Sequence, residues 1–189
     1  MIRIPSTDRD VVISTMKNIS ISENIEVDEG VLGDIAYIAD GNVRKAIFIL
    51  EMLEIRGLAT DRSAVHRLVQ STTLQAGRHL LELALRGRVV EWRWENIRGR
   101  KTKVLAGALA EVDHLMNNHG LDSDDLIAQL HDVLVGRRLA IPDDLREELL
   151  SSLAECDIQI RSTMHARIPF ENFLHKVSTS GRRHGLAFG

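Results

Sequence analysis

Two short stretches of this 189-residue chain carry side chains whose types and spacing could do chemistry. The first is Asp40-Gly41-Asn42-Val43-Arg44-Lys45-Ala46-Ile47. Asp40-Gly41 reads as a helix stop and Asn42 as the N-cap of the next helix. Arg44, two residues past that cap, would then project from the first turn, close to the positive end of the helix dipole. Free N–H groups beside a guanidinium recruit an anion, and the arginine fork matches phosphate oxygens. The spacing also fits a plain solvated arginine. The second stretch is Trp92-Arg93-Trp94, inside a run from Arg86 to Lys103 that holds seven basic and two acidic residues. Here Arg86, Arg88, Trp92, Arg93, Trp94, Arg98, Arg100, Lys101 and Lys103 could neutralise phosphates and stack on bases. The alternative is that both rings pack onto a helical core and leave the arginines to water.

Other chemistries lack their residues. Gly99-Arg100-Lys101-Thr102 resembles the end of a phosphate-binding loop, but no glycine stands at the required place upstream. Neither Gly-x-Ser-x-Gly nor His-Glu-x-x-His occurs. His114 and His119 are five apart, off the spacing that shares a helix face, and the eight histidines read as solvated or capping side chains. No catalytic residue and no metal site is expected. Cys156 is the single cysteine, so neither an internal disulfide nor a cysteine-based zinc site can be built. Its neighbours Leu153, Ala154 and Ile158 make it a buried structural thiol.

The elements that must position these residues read as helices. Aromatics are 4%, and there are only three prolines, a balance that favours helices over sheets. Thr7 with Asp10 resembles a capping box ahead of Val12, Ile13, Met16 and Ile19. Asp28 can cap a second helix, and Asn42 a third that runs to Arg56 with Gly57 closing it. Gly57 to Ser63 reads as a hinge. Further helices are expected at 62–70, 73–86 and 103–119, then from Ser123 to Gly136. Pro142 is placed at a helix N1 position, and Pro169 at the start of the last helix. No strand is expected, and residues 178–189 read as a disordered tail.

Residues 1–58 hold six Lys/Arg against ten Asp/Glu, and residues 59–189 eighteen against seventeen. A net charge of −3 gives no bulk attraction to nucleic acid. No window of about 18 apolar residues exists, and the first fifteen residues lack a signal-peptide core, so a cytoplasmic protein without a membrane partner is expected.

The residues also resemble a known family. Ile2-Arg3-Ile4-Pro5, the Val27-Asp28-Glu29 turn, and above all Ile38-Ala39-Asp40-Gly41-Asn42-Val43-Arg44-Lys45-Ala46-Ile47 resemble the lid domain of clamp-loader small subunits, the archaeal and eukaryotic replication factor C subunits. That family has roughly Gly-Asp-hydrophobic-Arg-Lys/Arg-Ala-Ile-Asn, so this chain departs at Asn42, where Asp is usual, and at Phe48, where Asn is usual. The resemblance continues in order. Leu80 to Gly87, His119 to His131, Leu139 to Leu145 and Ala154 to Arg161 look like successive parts of the family's collar domain. Between Gly87 and Gly120 the chain looks longer than the family, and Trp92-Arg93-Trp94 lies in that excess. Ser162 to Ala166 replaces the family's Ser-Glu-Gly-Ala-Asn.

The resemblance implies an all-α chain: a three-helix AAA+ lid over 1–57, then a roughly five-helix collar over 58–177. Arg44 would be the sensor 2 arginine, with Asn42 and Val43 beside it at the nucleotide. The collar would join other clamp-loader subunits, in an assembly that places a sliding clamp on primer–template DNA. ATP would be a cofactor only together with an AAA+ ATPase domain that this sequence does not contain. By that reading the chain is a piece of a larger subunit or a divergent paralogue, and not an ATPase by itself. Two rival expectations are a non-catalytic scaffold derived from such a subunit and a helical DNA-binding module centred on Arg86 to Lys103.

Overall fold

A computed structural model describes residues 7–186. The expectations resting on Ile2–Pro5 and on residues 187–189 lie outside the described residues. The element order is α1 (Arg9–Glu23), α2 (Glu29–Ala39), α3 (Val43–Ile55), α4 (Arg62–Leu85), β1 (Glu91–Ile97), β2 (Arg100–Ala106), α5 (Ala108–Asn117), α6 (Ser123–Val135), α7 (Asp143–Ser162) and α8 (Arg167–Arg183). The protein is therefore mostly helical, not all-α.

Capping side chains set most helix starts. Asp8, not Thr7, caps α1 by accepting from the Asp10 N–H at 3.3 Å. Asp28 caps α2 through the Gly30 N–H at 2.7 Å. α6 starts at Ser123 as expected, with Asp122 before it forming a capping box with Asp125. Pro142 occupies the N-cap of α7 rather than its first helical position.

The chain forms two compact units. Among the described residues the first comprises 7–72 together with Asn118–Gly120, and the second the remainder. The division falls inside α4, whereas the sequence placed it at 57–58. The reason is visible in the first core: Ala64, Val65 and Leu68 of α4 are buried with Val12, Met16, Val31, Leu32, Ile35, Ile49, Leu50 and Leu53. Further along the same helix Leu74, Leu80, Leu81 and Ala84 line the second core, and the two expected helices, 62–70 and 73–86, are one. Arg62 reinforces the packing of the first core with a forked pair of hydrogen bonds to Asp34, at 2.6 and 2.8 Å. The guanidinium holds the Asp34 carboxyl below its ordinary range.

In the second unit α7 packs on α6 and α8, and α5 packs on α8. Phe170, Phe173, Leu174 and Val177 of α8 are buried among Leu145, Leu149 and Leu153 of α7. Each such side chain contributes about 1.5–3 kcal/mol on leaving water. Residues 178–183, expected in a disordered tail, are the last turns of α8, with Ser178, Ser180 and Gly181 buried. They are held because Ser180 and Arg183 both bond the Glu148 carboxylate of α7.

The larger correction concerns residues 91–106. No strand was expected, and a helix was to begin at Lys103. Instead β1 and β2 pair antiparallel, with Trp94 opposite Lys103 and Ile97 opposite Arg100. Arg98 and Gly99 turn the chain with φ of +52° and +80°, the left-handed pair that matches the twist of a two-residue hairpin. The following helix starts only at Ala108.

Candidate functional site

The start of α3 is built by a stop and a cap in succession. Asp40 takes a left-handed conformation at the end of α2, and Asn42 caps α3. The Asn42 Oδ1 accepts from the Lys45 N–H at 3.0 Å, while its Nδ2 donates to the Gly120 carbonyl at 2.7 Å. An aspartate could make the first bond but not the second, since a carboxylate has no proton to give. Gly120, at φ +66°, lies so close that an added Cβ would sit 2.7 Å from the Lys45 nitrogen. One residue earlier, the His119 ring stacks on Phe48 of α3, with centroids 3.9 Å apart and planes 14° apart. The two departures from the lid pattern, Asn42 and Phe48, are therefore the residues that hold the 119–120 segment against α3. The sequence offered Gly120 as a helix end and gave no sign of this contact, which lies 78 residues away along the chain.

Val43 is half-buried in the first turn, and Arg44 is exposed. Among the described residues Arg44 makes no hydrogen bond or ion pair. A free guanidinium thus stands at the positive end of a 13-residue helix, a place that favours an anion.

The second candidate stretch is the β1–β2 hairpin. Side chains alternate across a strand, so Trp92, Trp94 and Asn96 share one face with their partners Leu105, Lys103 and Lys101. Arg93 and Arg100 lie on the other face, Arg98 is in the turn, and Arg86 is past the end of α4. The sequence candidates are thus not one cluster. Trp92 and Trp94 are 58% and 69% exposed, so the alternative in which both rings pack onto a helical core does not hold. The Lys103 ammonium lies 5.5 Å from the Trp92 ring centroid, within cation–π range. On the opposite face the charges pair: Arg93 with Glu95 at 2.9 Å, and Arg88 with Glu91 at 2.8 Å. Arg88 holds the Glu91 carboxyl below its ordinary range.

The hairpin springs from a fixed base. The Ala108 and Leu109 N–H groups donate to the Arg88 and Val89 carbonyls at 2.8 and 3.0 Å. Gly107 lies between them at φ +85°, and a Cβ there would meet the Arg88 oxygen at 2.6 Å. Beyond this base β1 is exposed along most of its length.

Elsewhere the chemistry is structural. Cys156 is buried among apolar side chains, and burial pushes its thiol up to about 12, which disfavours the reactive thiolate. Arg146 was missed by the sequence reading. It is nearly buried and donates to the carbonyls of Leu134, Leu139 and Ile141, which ties the end of α6 to the start of α7. Among the described residues no group of three His, Cys, Asp or Glu side chains could hold a metal ion, and no helix is long and apolar enough to cross a membrane.

Comparison with known proteins gives these elements a context. Residues 100–176 match the family model for the replication factor C C-terminal domain. The chain is 27% identical over 173 residues, 92% of its length, to the replication factor C small subunit of Sulfurisphaera tokodaii. It is 28% identical over 169 residues, 89% of its length, to that of Haloarcula marismortui, and 23% identical over 181 residues, 96% of its length, to that of Archaeoglobus fulgidus. These alignments cover 48%, 46% and 51% of the respective relatives. The chain therefore spans about half the length of the curated relatives it matches, and most of it is distantly homologous to archaeal replication factor C small subunits.

Proposed function

We propose, on the premise of that distant homology, that the chain provides the lid and collar parts of a clamp-loader small subunit. The first unit would be the lid. The second would be the collar through which the chain joins other subunits, in an assembly that loads a sliding clamp onto primer–template DNA. The observation that carries this reading is the ordered similarity over 92% of the chain. Arg44 supports it: exposed, without an ion pair among the described residues, and set at a helix start that favours anions, it fits a nucleotide phosphate. Asn42 and Val43 fix where α3 begins, and with it the direction in which Arg44 leaves the helix. ATP, held by an ATPase domain of the same assembly, would supply the free energy of clamp opening, and Arg44 would sense its phosphates.

Light scattering coupled to gel filtration tests the assembly step. Mixed with an archaeal replication factor C small subunit, the chain should elute in a species heavier than either component. Separate peaks at micromolar concentration would remove the collar reading. The Arg44→Ala variant should still assemble but lower ATP-dependent clamp loading by about tenfold or more, since a hydrogen bond to a charged group contributes about 1.5–3 kcal/mol. Unchanged loading would leave assembly as the only role.

A further inference from the structure

We propose that the Trp92, Trp94, Lys101 and Lys103 face of the β1–β2 hairpin binds single-stranded nucleic acid, with bases stacking on the indoles and phosphates meeting the lysines. This inference stands apart from the clamp-loader reading and rests on the hairpin alone.

Three observations carry it. The fold does not bury these rings: Trp92 and Trp94 are 58% and 69% exposed, on a ribbon whose core contacts are confined to its base. The charges are sorted by face. Glu91 and Glu95 lie opposite the rings and are paired with Arg88 and Arg93, so the tryptophan face carries lysines and an asparagine but no carboxylate. The chain as a whole has net charge −3, yet the residues from 86 to 103 hold seven basic side chains against two acidic ones.

The spacing is also suitable. Residues two apart on a strand face are separated by about 6.7 Å, so the rings form one short row on β1 and the lysines a parallel row on β2. One row offers π-faces and the other offers cations, the pairing that tracks a single strand. Arg98 in the turn and Arg100 next to it extend the positive field to the tip. Stacking needs bases that are unstacked from one another, which a duplex does not present. An apolar protein partner would have to desolvate the lysines beside the rings.

The chain's only two tryptophans are both on this face, so intrinsic tryptophan fluorescence reports this site and no other. Titration of the full chain with a short oligo(dT) at low ionic strength should quench the emission. The log of the affinity should fall with log salt with a slope of about −1.4 to −2.8, the value for two to four phosphates on a single strand. By anisotropy of a labelled oligonucleotide, the double variant Trp92→Ala, Trp94→Ala should bind at least about tenfold more weakly. The variant Lys101→Glu, Lys103→Glu keeps both rings and should lose about 1.4 from the salt slope. Circular dichroism verifies that each variant is folded. Absence of quenching at low salt overturns the proposal. So does equal or tighter binding of a duplex of the same length, a response to anionic lipid vesicles without one to oligo(dT), or affinity that the lysine reversals leave unchanged.

Discussion

The α3 start and the β1–β2 hairpin use their polar side chains in opposite ways. At α3 the fold consumes them. Asn42 engages both ends of its amide inside the protein, one with the Lys45 N–H and one with the Gly120 carbonyl. Phe48 is covered by His119. What is left over is a single cation, Arg44. On the hairpin the fold engages one face and leaves the other: Arg93 and Glu95 pair with each other, while both tryptophans stand in water. Identities at the first region follow from folding, because a change there orphans a backbone group or opens a contact. On the tryptophan face folding dictates little, and the proposed ligand would account for the indoles and lysines there. That contrast is a statement about energies and can be broken by measuring them.

The largest effect is expected at Gly120. Gly120→Ala places a methyl 2.7 Å from the Lys45 backbone nitrogen and demands φ of +66° from a residue with a Cβ. A non-glycine residue held there costs about 1–3 kcal/mol, and the backbone clash adds to it. Thermal unfolding should shift down by at least about 5 °C, given about 2–4 °C per kcal/mol for a chain of this size. An unchanged midpoint would mean that the 119–120 segment does not hold to α3.

Next comes Asn42→Asp, which restores the residue usual in the lid pattern. It keeps the cap acceptor and places a negative charge where the helix dipole favours one. Capping arguments alone therefore predict no loss. The Gly120 contact predicts the reverse: a carboxylate oxygen would face a carbonyl oxygen, at about 1–2 kcal/mol. The pH dependence separates the two. Once protonated, the introduced carboxyl could again donate to Gly120, so its folded pKa would lie above the unfolded value of about 3.9. The deficit should be small below that pH and grow as pH rises through the folded pKa, read by denaturant melts at about pH 3.5 and about pH 7.

Much of this was legible in the sequence, and the residues show where it stopped. Asn42 and Asp28 were readable as caps because capping is local: one side chain reaches N–H groups two or three residues on. The Asn42–Gly120 bond was not legible, because a 78-residue separation leaves no periodic trace. The hairpin failed for another reason. A strand announces itself by apolar residues alternating into a core, and here one face is tryptophan and lysine while the other is charged pairs. Two weaker signals were present: the alternation of Trp92 and Trp94 with charged residues, and the β-branched Ile97, Thr102 and Val104. The expected helix from Lys103 used Leu105 as a helical face residue, when Leu105 belongs to β2 opposite Trp92. The expected helices 62–70 and 73–86 are one helix, Arg62 to Leu85, with buried positions on either side of the expected gap.

The smallest effect is expected where the chemistry looks most conspicuous. Replacing both rings by a strand-favouring residue, Trp92→Thr with Trp94→Thr, removes the largest exposed aromatic surface among the described residues. Their contribution to stability should be limited to cross-strand contacts with Leu105 and Lys103, each about 0.2–1 kcal/mol. The base of the hairpin does not depend on them: the Ala108 and Leu109 hydrogen bonds and the buried Val89 and Ala106 remain. The double variant should therefore unfold within about 1–2 kcal/mol of the parent, well inside the Gly120→Ala effect. A loss larger than that of Gly120→Ala would invert the comparison: the rings would be structural, and their exposure would cease to argue for a ligand. A small loss in stability joined to a large loss in oligo(dT) binding separates the two kinds of region, because only a site that folding leaves alone can be emptied without disturbing the fold.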